Sequence, residues 1–183
     1  MKTKLRLSPQ EIWQKITAET TAAAAAEPNL ANYFANTILN HKDLGTALSS
    51  YLAKKLASAA ATAPMLQQIM QEVFAKEPII TMVARDIQAT VDRDSACNLY
   101  SSPFLYFKGF LSLQAYRAAH ELWLQGRTSL ALLLQHRISI TFAVDIHPAA
   151  SIGSGVMIDH ATALVVGETA VIEDSVSIMQ SVT

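Results

Sequence analysis

Charge is what this sequence is shortest of. Charged residues make up 16 % of the 183-residue chain against 51 % apolar ones, and the formal net charge is −1. Without an excess of lysine and arginine the chain offers nucleic acid no electrostatic field. A surface so sparse in charge predicts association into a homo-oligomer rather than a solitary monomer. Cysteine is nearly absent. Cys97 stands alone, which excludes an internal disulfide framework and fits a reducing compartment, the cytoplasm, with the thiol expected to be buried and inert. Long apolar runs are missing too, since no uncharged stretch reaches the ~18 residues of a membrane span. Lys2, Lys4 and Arg6 are followed by Ser-Pro-Gln-Glu rather than an apolar segment, so no secretory signal is expected. Metal-ligand spacing is lacking as well: His147 and His160 have neither an H-x-x-x-H pair nor a cysteine partner, so no metal is expected.

What is present in abundance is a repeat. From Ile146 to Thr183 the chain reads IHPAAS, IGSGVM, IDHATA, a two-residue step at Leu164 and Val165, then VGETAV, IEDSVS and IMQSVT. Ile146, Ile152, Ile158, Val166, Ile172 and Ile178 hold the first position, and the fifth is small or β-branched throughout. A chain that returns an aliphatic side chain to the interior at this period, with a small residue at each corner, winds as a triangular coil, the six-residue β-helix pattern. Three units close one turn of about eighteen residues, so the segment supplies two turns. An alternating β-meander is the competing reading. Six in-phase units and the lack of Asn-Gly hairpin signals speak against it.

The part before the coil reads as helices. Ser8-Pro9-Gln10-Glu11 combines a capping box with proline at the first helical position, so a helix should start at Pro9. Further helices are expected from Pro28 to about Asn40, after the cap residue Asp43, and after the Ala/Ser/Thr-rich linker from Ala57 to Pro64. Another is expected beyond Pro78. A polar loop from Asp92 to Asn98 then precedes a long helix opened by Pro103 and stopped by Gly126, and a last helix runs from Thr128 to Ala143. The methionines after Met1 fall mostly on the apolar faces and read as core. His41, His120 and His136 lie in helical stretches and read as structural or surface residues. By themselves, the charges of the 92–98 loop read as a solvated connection.

Several blocks closely resemble serine acetyltransferases: Tyr100-Ser101-Ser102-Pro103-Phe104-Leu105-Tyr106-Phe107-Lys108-Gly109-Phe110, Leu113-Gln114-Ala115-Tyr116-Arg117, Val144-Asp145-Ile146-His147-Pro148-Ala149-Ala150, Asp159-His160-Ala161-Thr162, Val166-Gly167-Glu168-Thr169-Ala170-Val171 and Gln180-Ser181-Val182-Thr183. The resemblance extends over essentially the whole chain. It implies an α+β fold, with an α-helical oligomerisation domain over residues 1–144 and a left-handed parallel β-helix over 145–183. It also implies acetyl transfer from acetyl-CoA to the hydroxyl of L-serine, which gives O-acetyl-L-serine for cysteine biosynthesis. Trimers, or two trimers joined through their helical halves, are the assemblies that the resemblance implies.

The same resemblance assigns roles residue by residue. His160 matches the family's catalytic histidine, and Asp145 the carboxylate that orients it. A serine hydroxyl needs a base, and an imidazole with an ordinary pKa near ~6.5 suits that task. Asp159 and Asp94 match acidic residues that receive substrate serine, Asp94 from another subunit, and carboxylates are sensible partners for an ammonium group. Glu168 either lines the site or is an outward corner side chain, and His147 either belongs to the site or serves the turn before Pro148. Ser95 stands where the family usually has proline. Leu111 and Glu121 replace a common histidine and tryptophan, changes expected to touch helix packing or subunit contacts.

Members of the family continue beyond the position of Thr183. The resemblance places there the arginine–histidine pair for the serine carboxylate, most of the acetyl-CoA groove, and the tail that binds O-acetylserine sulfhydrylase. A chain truncated at this point is expected to retain only the first two coils. A catalytically incompetent chain that acts only as an oligomerisation module is therefore the competing expectation to an active enzyme. An acyltransferase acting on a sugar is disfavoured by the helical half and by the Asp-His-Ala-Thr block.

Overall fold

In the computed structural model, which describes residues 6–183, the first helix begins at the cap that the sequence marks. Lys2 and Lys4, invoked above for the lack of a secretory signal, lie outside the described residues. Ser8 accepts from the Glu11 amide at 3.3 Å, and the Glu11 carboxylate accepts from the Ser8 amide at 2.8 Å. Two of the helix's otherwise unpaired donors are thereby satisfied. Helix α1 (Pro9–Ala26) buries Ile12, Trp13 and Ile16 and ends before Glu27-Pro28. The single helix expected over 28–40 is instead three geometries end to end: a 3₁₀ turn (Pro28–Leu30), α2 (Ala31–Phe34) and a π segment (Ala35–Leu39). Asp43 and Thr46 form a second capping box, which opens α3 (Leu44–Leu56).

The linker is shorter than expected, since α4 (Ala63–Phe74) starts at Ala63 with Pro64 in its first turn, where its missing N–H costs nothing. Helix α5 (Glu77–Arg93) runs two residues into the expected polar loop, which begins at Asp94. The expected long helix is two. Between α6 (Ser101–Tyr106) and α7 (Lys108–Leu124), Phe107 is extended, with φ −90° and ψ 106°. Gly126, at φ 75°, follows the end of α7 as a residue suited to the left-handed region. Helix α8 (Thr128–Phe142) ends at Ala143, itself left-handed, and the coil begins with the next residue. No helix among the described residues is long and apolar enough to cross a membrane. Cys97 is buried, which pushes its thiol pKa up, as befits an inert core thiol.

Six short strands follow: β1 (Val144–Ile146), β2 (Ser151–Ile152), β3 (Met157–Ile158), β4 (Leu164–Val166), β5 (Val171–Ile172) and β6 (Ser177–Ile178). They pair in parallel as β1–β4, β2–β5 and β3–β6, which is a three-sided coil of two stacked turns. The register stacks Ile146 on Val166, Ile152 on Ile172 and Ile158 on Ile178, the repeat's own first positions. Each residue thus pairs with one twenty positions later rather than eighteen. The two added residues are divided: β4 has three residues where β2, β3, β5 and β6 have two, and the corner 159–163 just before it has five where the other corners have four.

One continuous apolar core runs from Ile12 through α7 and α8 into Ile146, Ile158 and Ile178. The two halves are joined through α5 and α7. Asp86 and Arg117 form an ion pair at 2.7 Å with side chains 0 % and 4 % exposed. Arg117 also donates to the carbonyl oxygens of Ile152 and Gly153, and Asp86 accepts from the Val156 amide at 2.9 Å. Tyr116 donates its hydroxyl to the Ala150 carbonyl, and the His120 ring donates from Nδ1 to that of Pro148 at 2.7 Å. Leu111 is buried in α7, and Glu121 pairs with Lys76, the residue that precedes α5.

Candidate active site

The corner between β3 and β4 carries Asp159 and His160. Its backbone is unusual: His160, Ala161 and Ala163 have φ of 56°, 61° and 61°, a region that residues with a Cβ enter at a cost. Two consecutive three-residue turns make the bend, Ala161 N to Asp159 O and Thr162 N to His160 O. The amide of Ala163 donates to the Ala143 carbonyl at 2.9 Å, which ties the corner to the residue before β1. This geometry throws the imidazole outward. The His160 side chain is 71 % exposed, and its Nε2 lies 3.7 Å from Oδ2 of Asp159.

Asp145 lies in the middle of β1, in register with Val165 of the turn above. Its Oδ1 accepts from Nε2 of Gln135, on α8, at 2.8 Å. Within this chain no hydrogen bond joins Asp145 to His160; the strand bearing the one and the corner bearing the other meet through the Ala143–Ala163 bond. Asp94 follows α5, and its Oδ1 accepts from the Ala96 amide at 2.8 Å, which closes a tight turn. It makes no hydrogen bond or ion pair with Asp159 or His160. Glu168 is exposed at the corner after β4, also apart from His160. His147 is packed edge-on against Trp123 at 5.2 Å, and its Nδ1 accepts from the Ala149 amide. That role is structural. The structure therefore brings Asp159 to His160, holds Asp145 on the adjoining strand, and leaves Asp94 and Glu168 on other elements.

Two residues that the sequence reading passed over touch this region. Gln135 engages Asp145, and Lys108, the first residue of α7, donates from Nζ to the hydroxyl of Thr162. Gln135 is half-buried on α8 beside His136 and Arg137, and no spacing in the sequence points it to Asp145. A large cavity of about 900 Å³ lies elsewhere, among Trp13, Leu44, Phe74 and Ile80 of the helical half, and holds none of these groups. Among the described residues no three histidine, cysteine, aspartate or glutamate side chains gather as metal ligands.

An imidazole turned to solvent beside a carboxylate can take up a proton and be stabilised once charged. Residues 12–115 match the family model described as serine acetyltransferase, N-terminal. The serine acetyltransferase of Salmonella typhimurium is 54 % identical over 173 residues, 94 % of this chain and 63 % of the relative. The chain thus spans less than two thirds of that relative's length. A serine acetyltransferase solved in complex with CoA superposes with a TM-score of 0.91 at 53 % identity, over 94 % of this chain and 74 % of the other. Soybean serine acetyltransferase complexed with serine gives a TM-score of 0.90 at 46 % identity, over 93 % and 70 %.

Proposed function

The chain belongs to the serine acetyltransferases, and we propose that it transfers the acetyl group of acetyl-CoA to the hydroxyl of L-serine, giving O-acetyl-L-serine and CoA. The observation that carries this reading is the outward imidazole of His160 beside Asp159, on a left-handed corner that the repeat alone does not require. His160 acts as general base. It removes the hydroxyl proton as the serine oxygen attacks the thioester carbonyl carbon. The carbon–sulfur bond then breaks with its electron pair on sulfur, and the imidazolium returns the proton to the departing thiolate.

Asp145 orients the imidazole and stabilises its charged form, as a base–orienter pair requires. Gln135 supports that role by occupying Oδ1 and leaving Oδ2 for the ring. Asp159 and Asp94 receive the substrate ammonium group, Asp94 reaching the site of a neighbouring subunit, and Glu168 lines its edge. The coil is a left-handed parallel β-helix on this reading, which its parallel register and six-residue repeat support. Homo-oligomers are supported by Val165, Val171 and Met179, large apolar side chains exposed on the coil, and the cytoplasm is the compartment for the reaction.

The test is release of free thiol from acetyl-CoA by the protein with and without L-serine, with O-acetyl-L-serine identified by mass. Serine-dependent release supports the reading. A folded protein that binds neither substrate and releases no thiol overturns it and leaves assembly as the role of the chain.

A further inference from the structure

The corner bearing His160 is held from outside the coil. Three of the six non-glycine residues with positive φ among the described residues lie in it. Such backbone persists only where its surroundings over-determine it. Coil bonds supply part of that restraint, Ala163 to Ala143 and the Ser181 amide to the Thr162 carbonyl, each at 2.9 Å. Thr162 itself is exposed, so packing within the coil does not fix it.

The remaining restraint comes from the start of α7. Extended Phe107 breaks the helix at this point, so Lys108 begins a new one directly against the end of β3. Gly109 lies so close to the coil that a Cβ there would overlap the carbonyl oxygen of Ile158, the residue before Asp159. Only glycine allows that approach. It brings the half-buried Lys108 to the corner, where Nζ donates to Oγ1 of Thr162.

We propose that Lys108, seated by Gly109, is a positioning residue for His160: its bond to Thr162 locks the left-handed corner and so sets the direction of the imidazole. The role rests on the reading of His160 as general base. Lys108 touches Thr162 and not the reacting atoms. A base misplaced by about 1 Å loses about 10²-fold in rate, so the lock acts on turnover rather than on substrate binding.

The experiment compares Lys108→Met, which keeps the stem and removes the donor, with Thr162→Val, which removes the acceptor, the double variant, and Lys108→Arg. Two readouts are taken on the purified protein: kcat and KM for each substrate, and amide hydrogen exchange at residues 161–163. Each single substitution should lower kcat by about 10-fold to 10²-fold with KM within about twofold. Exchange in the corner should rise while the melting temperature and exchange in the strands stay put. The double variant should be no worse than either single one, and Lys108→Arg should recover part of the loss. Additive effects in the double variant overturn the proposal. So does a fall in melting temperature with unchanged kcat per folded molecule, which marks a merely structural role. If the unsubstituted protein shows no serine-dependent turnover, the reading of His160 fails by itself. The exchange readout, which needs no substrate, still decides: faster exchange in Lys108→Met sustains the lock and unchanged exchange overturns it.

Discussion

Arg117 grips the buried carboxylate of Asp86 from both Nε and Nη2, at 3.0 and 2.7 Å, while its other nitrogen reaches the coil. Gln114 adds a further donor to the same oxygen at 3.0 Å. The helical half and the coil thus share one buried charge pair. Arg117→Met leaves the carboxylate buried without its counter-charge, and removing one partner of such a pair costs about 3–5 kcal/mol. Burial pushes the Asp86 pKa up and Arg117 pulls it back. In the variant the folded-state pKa rises further above the unfolded one. Its stability is then greatest below the unfolded pKa and falls as pH rises toward the folded one. Denaturant titrations at about pH 5 and pH 8 should show the variant losing stability with pH more steeply than the unsubstituted protein.

Asp174 has the opposite sign. Its Oδ1 accepts from the Ser154 amide at 2.6 Å and the Ser154 hydroxyl at 3.2 Å, across two stacked corners of the coil. These bonds, the backbone one foremost, lower its pKa. The stability it contributes is present above the ordinary aspartate range and is lost as pH falls through the depressed folded value. Asp174→Asn keeps an acceptor and removes the titration. Melting temperatures followed downward from about pH 5 should therefore fall less steeply in the variant.

Asp145→Asn keeps the acceptor for Gln135 but presents an amide to the imidazole. Loss of an orienting carboxylate should lower kcat by about 10²-fold or more. Gln135→Leu, which only releases Oδ1, should cost less. Steady-state kinetics on both variants check the order.

Asp94→Asn and Asp159→Asn each remove a carboxylate from the proposed ammonium site. Charge-assisted hydrogen bonds of this kind contribute about 1.5–3 kcal/mol, so KM for serine should rise about 10-fold to 10²-fold with KM for acetyl-CoA unchanged. A rise in both KM values instead would move these residues out of the serine site.

The coil was legible because its register is local. Stacking Ile146 on Val166 and Ile158 on Ile178 follows from counting six-residue units and allowing one two-residue step. The position of that step was legible only in part: one of its residues lengthens β4, while the other enlarges the corner that His160, Ala161 and Ala163 turn with positive φ. The helix starts at Pro9 and Leu44 were written in their capping boxes. The break at Phe107 was not, since its cause is long-range: α7 must begin where Gly109 can approach Ile158, far away in sequence. The same holds for the contacts of Asp86 with Arg117 and Gln135 with Asp145. Asp159 beside His160 needed only adjacency. No spacing rule brings Asp94 to them, and within one chain it stays apart.

The most direct measurement is the rate of serine-dependent thiol release by His160→Ala. Removal of a positioned general base should lower kcat by about 10² to 10⁴-fold in a protein that folds and assembles as before. Turnover within a few-fold of the unsubstituted protein would contradict the assignment of His160 as the base.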